Sequence, residues 1–209
     1  MKRSNIVGEV PELAHSAASR AEAILQFWFA SPASEADGFQ LRWFVANPQF
    51  DDLCKSRFLT SYEDASQGLL EEWRNEPRSC LALVLLLDQL PRNMFRGTAR
   101  AFATDPPARE LSRHAIASGY DRKLSPLMRM FFYLPLEHSE NLDDQFESVR
   151  LFHALTAENP GLPEILLDAE QHLEVIRRFG RFPARNHALG RQSTQEEIDF
   201  LKIRSARDW

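Results

Sequence analysis

No segment of this chain alternates apolar and polar residues over a convincing length, and β-branched residues are scarce, so strand signals are nearly absent. Helix signals recur instead, with clear punctuation. Ser19-Arg-Ala-Glu22 reads as a capping box ahead of the apolar segment Ala23-Ile-Leu-Gln-Phe-Trp-Phe29. Asn47-Pro48 reads as N-cap then first helical position, opening a helix that runs to about Ser66. Pro77 opens a strongly apolar helix from Ser79 to about Gln89, which Pro91 stops or kinks. Asp105-Pro106 opens the next, and Gly119 closes it. Ser125-Pro126 opens a helix carrying Leu127, Met128, Met130, Phe131 and Phe132, and a further helix runs from Asn141 to about Ala157. Pro163 begins a helix that ends at Gly180, with Arg177 and Arg178 in its last turn, where cations suit the helix dipole. Ser193-Thr-Gln-Glu196 is a second capping box, starting a terminal helix.

The pattern predicts an all-α fold of about eight to nine helices, stacked in antiparallel pairs over residues 16–209 as one domain. Residues 1–15 are weakly patterned and read as a flexible N-terminus, and Ser31 to Gly38 reads as a loop. A chain of 209 residues, 44% hydrophobic, is long enough for one sizeable core. The longest apolar run, Cys80 to Leu87, is too short to span a bilayer, so no membrane partner is expected. Met1-Lys-Arg-Ser-Asn-Ile-Val-Gly8 has no sustained apolar core and is not read as a secretory signal. Cys54 and Cys80 sit far apart among apolar residues, which fits small buried hydrophobes in a reducing cytoplasm.

Net charge is −5, and that acidic balance disfavours nucleic acid as a partner. The charge is uneven, however. Acids cluster at Asp51–Asp52, Glu63–Asp64, Glu71–Glu72 and Asp143–Asp144, while arginines concentrate in a few motifs. A basic pocket on an acidic body suits a small anion better than a polymer.

Three stretches carry candidate chemistry. Phe179-Gly-Arg-Phe-Pro-Ala-Arg-Asn-His-Ala-Leu-Gly-Arg191 gathers Arg181, Arg185, Arg191, Asn186 and His187 around two glycines and a proline. Forked cationic donors on a stiffened backbone suit a carboxylate, a phosphate or a buried polar network. Leu87-Asp-Gln-Leu-Pro-Arg-Asn-Met-Phe-Arg-Gly97 delivers Asp88 and Gln89 at the end of an apolar helix, followed by Arg92, Asn93 and Arg96. Such an acid is either an orienting group beside anion-binding arginines or half of a salt-bridged corner. Tyr133-Leu-Pro-Leu-Glu-His-Ser-Glu140 places His138 beyond Pro135, between Glu137 and Glu140. A histidine held by a carboxylate can act as a general base near neutral pH, and the same pattern fits a structural helix cap.

His138-x-Glu140 matches half of the zinc deaminase signature, but the Pro-Cys-x-x-Cys half is missing. Two ligands do not define a metal site, so neither metal nor cofactor is expected. His187 is the obvious titrating group of its loop and also the kind that is usually only solvated; His172 could face the same end, and His114 and His153 read as surface or core fillers. Phe27-Trp-Phe29 and Trp43-Phe44 read as core packing, with an aromatic pocket wall as the lesser reading. Phosphate-binding Gly-rich loops, dinucleotide fingerprints, nucleophile elbows and His-Glu-x-x-His are all absent from the sequence.

Taken together, Phe27-Trp-Phe29, Leu86 to Gly97, Met130 to Glu140, Phe179 to Asn186 and Gly190 to Glu197 resemble a bacterial domain-of-unknown-function family, number 924, over about Ala23 to Leu201. The resemblance implies an all-helical fold similar to tetratricopeptide repeats and brings no established activity. It implies signature positions at Asp88, Arg92, Asn93, Arg96, His138, Glu140, Arg181, Arg185, Asn186 and Arg191. Two departures stand out: Ala184 where the family usually has histidine, and Leu90 where it usually has phenylalanine.

Three readings follow. In the first, the motifs form a site for a small anionic molecule, catalytic or binding. His138 is then acid or base, Glu140 or Asp88 orients it, and Arg92, Arg181 and Arg185, with Asn93, Arg96, Asn186 and Arg191, hold the ligand. In the second, stacked helix pairs form a groove whose arginines clamp a peptide carboxylate. In the third, the arginines and acids pair with one another as an internal network. A closed pocket favours the first reading, an open apolar groove the second, and a carboxylate partner on each arginine the third.

Overall fold

The computed structural model describes residues 17–29 and 41–203. These form helices α1 (Ala17–Phe29), α2 (Pro48–Ser66), α3 (Pro77–Val84), α4 (Leu90–Met94), α5 (Asp105–Ala117), α6 (Pro126–Glu137), α7 (Leu142–Glu158), α8 (Pro163–Phe179) and α9 (Gln195–Ile203). A single π-turn, Leu85–Gln89, joins α3 to α4, so these two make one rod. No strand occurs among the described residues, and the fold is all-α.

Several caps sit where the sequence predicts them. Asn47 Oδ1 accepts from the Phe50 amide at 3.0 Å with Pro48 in the first turn. Asn141 Oδ1 accepts from the amides of Asp143 and Asp144 at 2.9 and 3.1 Å. Gly180, at φ +67°, closes α8 with its N–H on the Ile176 carbonyl. A side chain at that φ would be strained, which is why glycine ends the helix.

Three punctuation readings are corrected. α1 already runs at Ala17, so Ser19 and Glu22 lie inside the helix instead of capping it. Pro91 does not stop its helix. In the π-turn the Leu90 amide reaches back to Leu85, and the Leu87 carbonyl, which Pro91 has no N–H to meet, takes the Thr104 hydroxyl at 2.6 Å. The last capping box is shifted by one residue: Thr194 Oγ1 accepts from the Glu197 amide at 3.2 Å, and Glu197 Oε2 accepts from the Thr194 amide at 2.7 Å. Pro135 is carried within α6, and His138 is that helix's C-cap. The expected flexible segment 1–15 and the loop Ser31 to Gly38 lie outside the described residues.

The core lies along two helices that are buried on every side. Every residue from Cys80 to Leu90 is buried, as is every residue from Arg129 to Glu137. α3 packs against α1, α5 and α6, while α6 lies between α5 and α7, and α7 packs on α8. Short connections make α6, α7 and α8 antiparallel neighbours. Trp28 is fully buried, with Trp43 and Phe131 rings against it at 6.4 and 5.9 Å. Cys54 and Cys80 are free and buried, and burial pushes both thiols up to about 12. No described helix is long and apolar enough to cross a membrane.

Candidate functional site

The ends of the α3–α4 rod, α6 and α8 meet the short turn Pro183–Arg185 around a cavity of about 290 Å³. Trp43, Phe44, Phe102, Met130, Phe152 and Ile165 give it apolar walls. Its polar lining includes Gln89, Arg92, Glu137, His138, Asp168, His172 and Arg185. The Trp43-Phe44 pair therefore serves both core and pocket: Trp43 is buried, whereas Phe44 is 47% exposed.

The π-turn places Asp88 directly behind His138, a lining residue. One extra residue in that turn aims the Asp88 carboxylate inward, where it is completely buried. His138 Nδ1 lies 2.8 and 3.0 Å from the two Asp88 oxygens, Gln89 Nε2 donates to Oδ2 at 2.7 Å, and Arg92 Nη1 stands 3.3 Å from Oδ1. Burial alone would raise the Asp88 carboxyl, but the Arg92 guanidinium and His138 outweigh it and hold Asp88 well below the usual carboxylate range. An ionised Asp88 accepts, so His138 carries its proton on Nδ1 and presents Nε2 as a lone pair. No described residue hydrogen-bonds that Nε2. Burial, then Arg92, lowers the imidazole's affinity for a second proton, while Asp88 pulls the other way.

Two arginines share one acid above this pair. Arg92 Nη1 and Nη2 grip Asp105 at 2.9 and 3.1 Å, and Arg185 Nη1 reaches the same carboxylate at 3.3 Å. Asp105 opens α5, and its place in this group is not readable from its own motif. Arg185 is 4% exposed, and its guanidinium lies 4.8 Å from the Phe102 ring and 4.4 Å from the Phe182 ring. Burial and the neighbouring Arg92 charge lower Arg185 to about 10, so it is still a cation at neutral pH.

Beside the Asp88–His138 pair lies a second acid and imidazole, the His138 and His172 rings being 6.3 Å apart. Glu137 is 4% exposed; its Oε1 stands 3.3 Å from His172 Nδ1, and its Oε2 has no hydrogen-bond partner among the described residues. His172 Nδ1 donates to the Asp168 carbonyl at 2.7 Å. Burial, with the Asp168 and Asp88 charges, raises the Glu137 carboxyl well above its ordinary value. Burial likewise drives His172 well below the usual histidine range, against the Asp168 carbonyl, with His138, Arg185 and Arg92 adding to the fall.

The structure brings Arg92, Asn93, Arg96, His138 and Arg185 to the cavity lining, with Asp88 buried directly behind His138, but not the remaining signature residues. Asn93 Nδ2 and Arg96 Nε both hold Asp51, at 2.7 and 2.8 Å. Glu140 does not orient His138: Arg191 grips it with two nitrogens at 2.7 and 2.9 Å, and the Phe182 amide donates to it at 2.8 Å. Arg191 Nε also donates to Asn186 Oδ1 at 2.9 Å. Arg181 pairs with Glu197 at 2.7 and 2.9 Å, and Asn186 reaches the same acid at 3.2 Å. These contacts clasp the last motif to α9 and to the end of α6. His187 is exposed, as is His153. Ala184 lines the cavity beside Arg185.

Sequence reasoning passed over Glu137 and Asp105 as site residues and treated His172 only as a neighbour. A charged residue ending an all-round apolar helix was the available signal for Glu137. Among the described residues, no cluster of three His, Cys, Asp or Glu side chains is arranged to hold a metal ion.

The chain is similar to the solved structure of a protein of unknown function, ATU0120, from Agrobacterium tumefaciens. The two share 38% sequence identity with a TM-score of 0.78, over 90% of this chain and 99% of that one. Among curated proteins, no match is found. The model of the family described as bacterial protein of unknown function (DUF924) matches residues 24–204, and the chain belongs to that family.

Proposed function

We propose that the cavity receives a small anionic molecule, that Arg185 and Arg92 neutralise it, and that His138 exchanges a proton with it. The observation that carries this reading is the Asp88–His138 contact at 2.8 Å on the wall of a cavity that also holds the buried Arg185 cation. An ionised acid behind Nδ1 fixes the imidazole tautomer and leaves Nε2 basic toward the cavity, the arrangement general-base chemistry uses. Arg185, flanked by two aromatic rings, is a rigid guanidinium whose charge is little screened.

Each signature arginine has a carboxylate within the fold, and that pairing supports a second role for part of the set. Arg181, Asn186 and Arg191 act as an internal clasp, since their partners Glu197 and Glu140 lie away from the cavity lining. Arg96 and Asn93 hold Asp51 at the rim in the same manner. A peptide-binding groove is the weaker reading, because the apolar wall and the charged groups converge on one small cavity.

The test is a nuclear magnetic resonance titration of protein labelled at histidine and arginine, with propionate, succinate and inorganic phosphate as probes. The expected result is a saturable shift at His138 and Arg185 and none at the exposed His153 and His187. Saturable shifts confined to His153 or His187, or none with any probe, would overturn the reading.

A further inference from the structure

We propose that Glu137 sets the ligand class of this cavity: its carboxyl donates a hydrogen bond to an uncharged oxygen of the ligand, which is therefore a short hydroxy- or oxo-acid. The inference rests on the anion reading above and adds a second point of recognition.

Glu137 lines the cavity at the last turn of α6, and its backbone is pinned there by Gln145 Nε2 donating to its carbonyl at 2.5 Å. The side chain has a fixed place and little to bind. Its nearest donor, His172 Nδ1, is already committed to the Asp168 carbonyl at 2.7 Å and stands 3.3 Å from Oε1. Oε2 has no hydrogen-bond partner among the described residues. An ionised carboxylate so buried needs several donors or a cation, and the guanidiniums of Arg92 and Arg185 lie against Asp88 and Asp105, not against Glu137. The charges that bear on Glu137 are the acids Asp168 and Asp88. A neutral carboxyl is the form this environment favours, and a neutral carboxyl has one O–H to give.

That O–H narrows the ligand. An amine would set its charge against Arg92 and Arg185. A plain alkanoate would satisfy the arginines but lay methylene groups against the Glu137 carboxyl and leave its proton unmet. A hydroxyl or carbonyl oxygen beside the anionic group meets both demands. A cavity of about 290 Å³ also keeps the molecule short.

Calorimetric titration of the full chain at neutral pH with propionate, lactate and pyruvate, and with succinate and malate, tests this. The oxygen-bearing members are expected to bind about tenfold more tightly than the plain acids, the worth of one buried hydrogen bond. Glu137→Leu should remove that preference. Glu137→Gln, whose amide still donates, should retain it. Arg185→Ala should weaken all five acids alike. Equal affinity for plain and oxygenated acids in the wild-type chain, or a preference that survives in Glu137→Leu, overturns the role of Glu137 and leaves the anion reading standing. If Glu137→Leu does not fold, the wild-type series together with Glu137→Gln decides the matter. If no acid binds, or Arg185→Ala leaves binding untouched, the anion reading falls and this inference falls with it.

Discussion

Replacing Glu137 with glutamine should change the pH dependence of stability in a defined direction. Burial and the acids Asp168 and Asp88 raise the Glu137 carboxyl in the folded chain. A raised carboxyl contributes stability that is fully present below its unfolded pKa, about 4.3, and is lost as pH climbs toward the folded value. Across that window the wild-type chain loses about 1.4 kcal/mol per pH unit relative to a variant that cannot ionise there. The other titratable groups around the cavity are Asp88, Asp105, Asp168, His138, His172, Arg92, Arg96 and Arg185, and all are retained in the variant. His138 and His172, both lowered in the fold, make stability rise with pH up to the ordinary histidine range, but they do so in both proteins and drop out of the difference. Urea unfolding followed by the fluorescence of the buried Trp28 and Trp73, repeated from mildly acidic to neutral pH, measures it. The variant should gain on the wild type steadily as pH rises. Parallel stability profiles would mean that Glu137 ionises normally, and the reasoning about its environment would be wrong.

Other outcomes follow from the same contacts. Asp88→Asn keeps the volume but can donate to His138 Nδ1, so the imidazole proton should move to Nε2, as ring nitrogen shifts would reveal; an unchanged tautomer would contradict the assigned pairing. Arg191→Ala removes two bonds to Glu140 and one each to Phe182 and Asn186; a loss of about 2–3 kcal/mol in urea unfolding is expected with ligand binding intact. Glu197, lowered to about 2 chiefly by the Arg181 hydrogen bonds, contributes stability that is present above its unfolded pKa and lost as pH falls toward the folded value. Glu197→Gln should therefore flatten the acid limb of the unfolding profile, and an unaltered limb would refute the pairing.

Much of the helical framework could be read from local chemistry. Asn47 and Asn141 punctuate helices because their side-chain oxygens meet amides within three residues, and Gly180 because its left-handed backbone turns its N–H onto the Ile176 carbonyl. Errors arose where a distant contact decided the outcome. Pro91 stays inside a helix because the π-turn and the hydroxyl of Thr104 accommodate it, and Thr104 lies far along the chain. Ser193 and Thr194 each begin a Ser/Thr-x-x-Glu pattern. Thr194 is the cap because Arg181 and Asn186 hold its partner Glu197, while Ser193 accepts from Asn186 at 3.0 Å. The site was legible as a set of residue types but not as pairs. Nothing in the order of the motifs says that His138 takes Asp88 and leaves Glu140 to Arg191. Glu137 looked like ordinary polar punctuation beside His138, and only packing shows that its carboxyl is stranded from donors.

Thermal unfolding against a panel of short carboxylates and phosphorylated compounds, with Arg185→Ala and Arg181→Ala measured in parallel, reads the proposed anion site directly. A ligand at a hundred times its dissociation constant adds about 2.7 kcal/mol, a midpoint shift of roughly 5–10 °C for a chain of this size. The shift should appear in the wild type, survive in Arg181→Ala and vanish in Arg185→Ala. No shift with any compound, or one lost in Arg181→Ala and kept in Arg185→Ala, would contradict the cavity as the place where an anion binds.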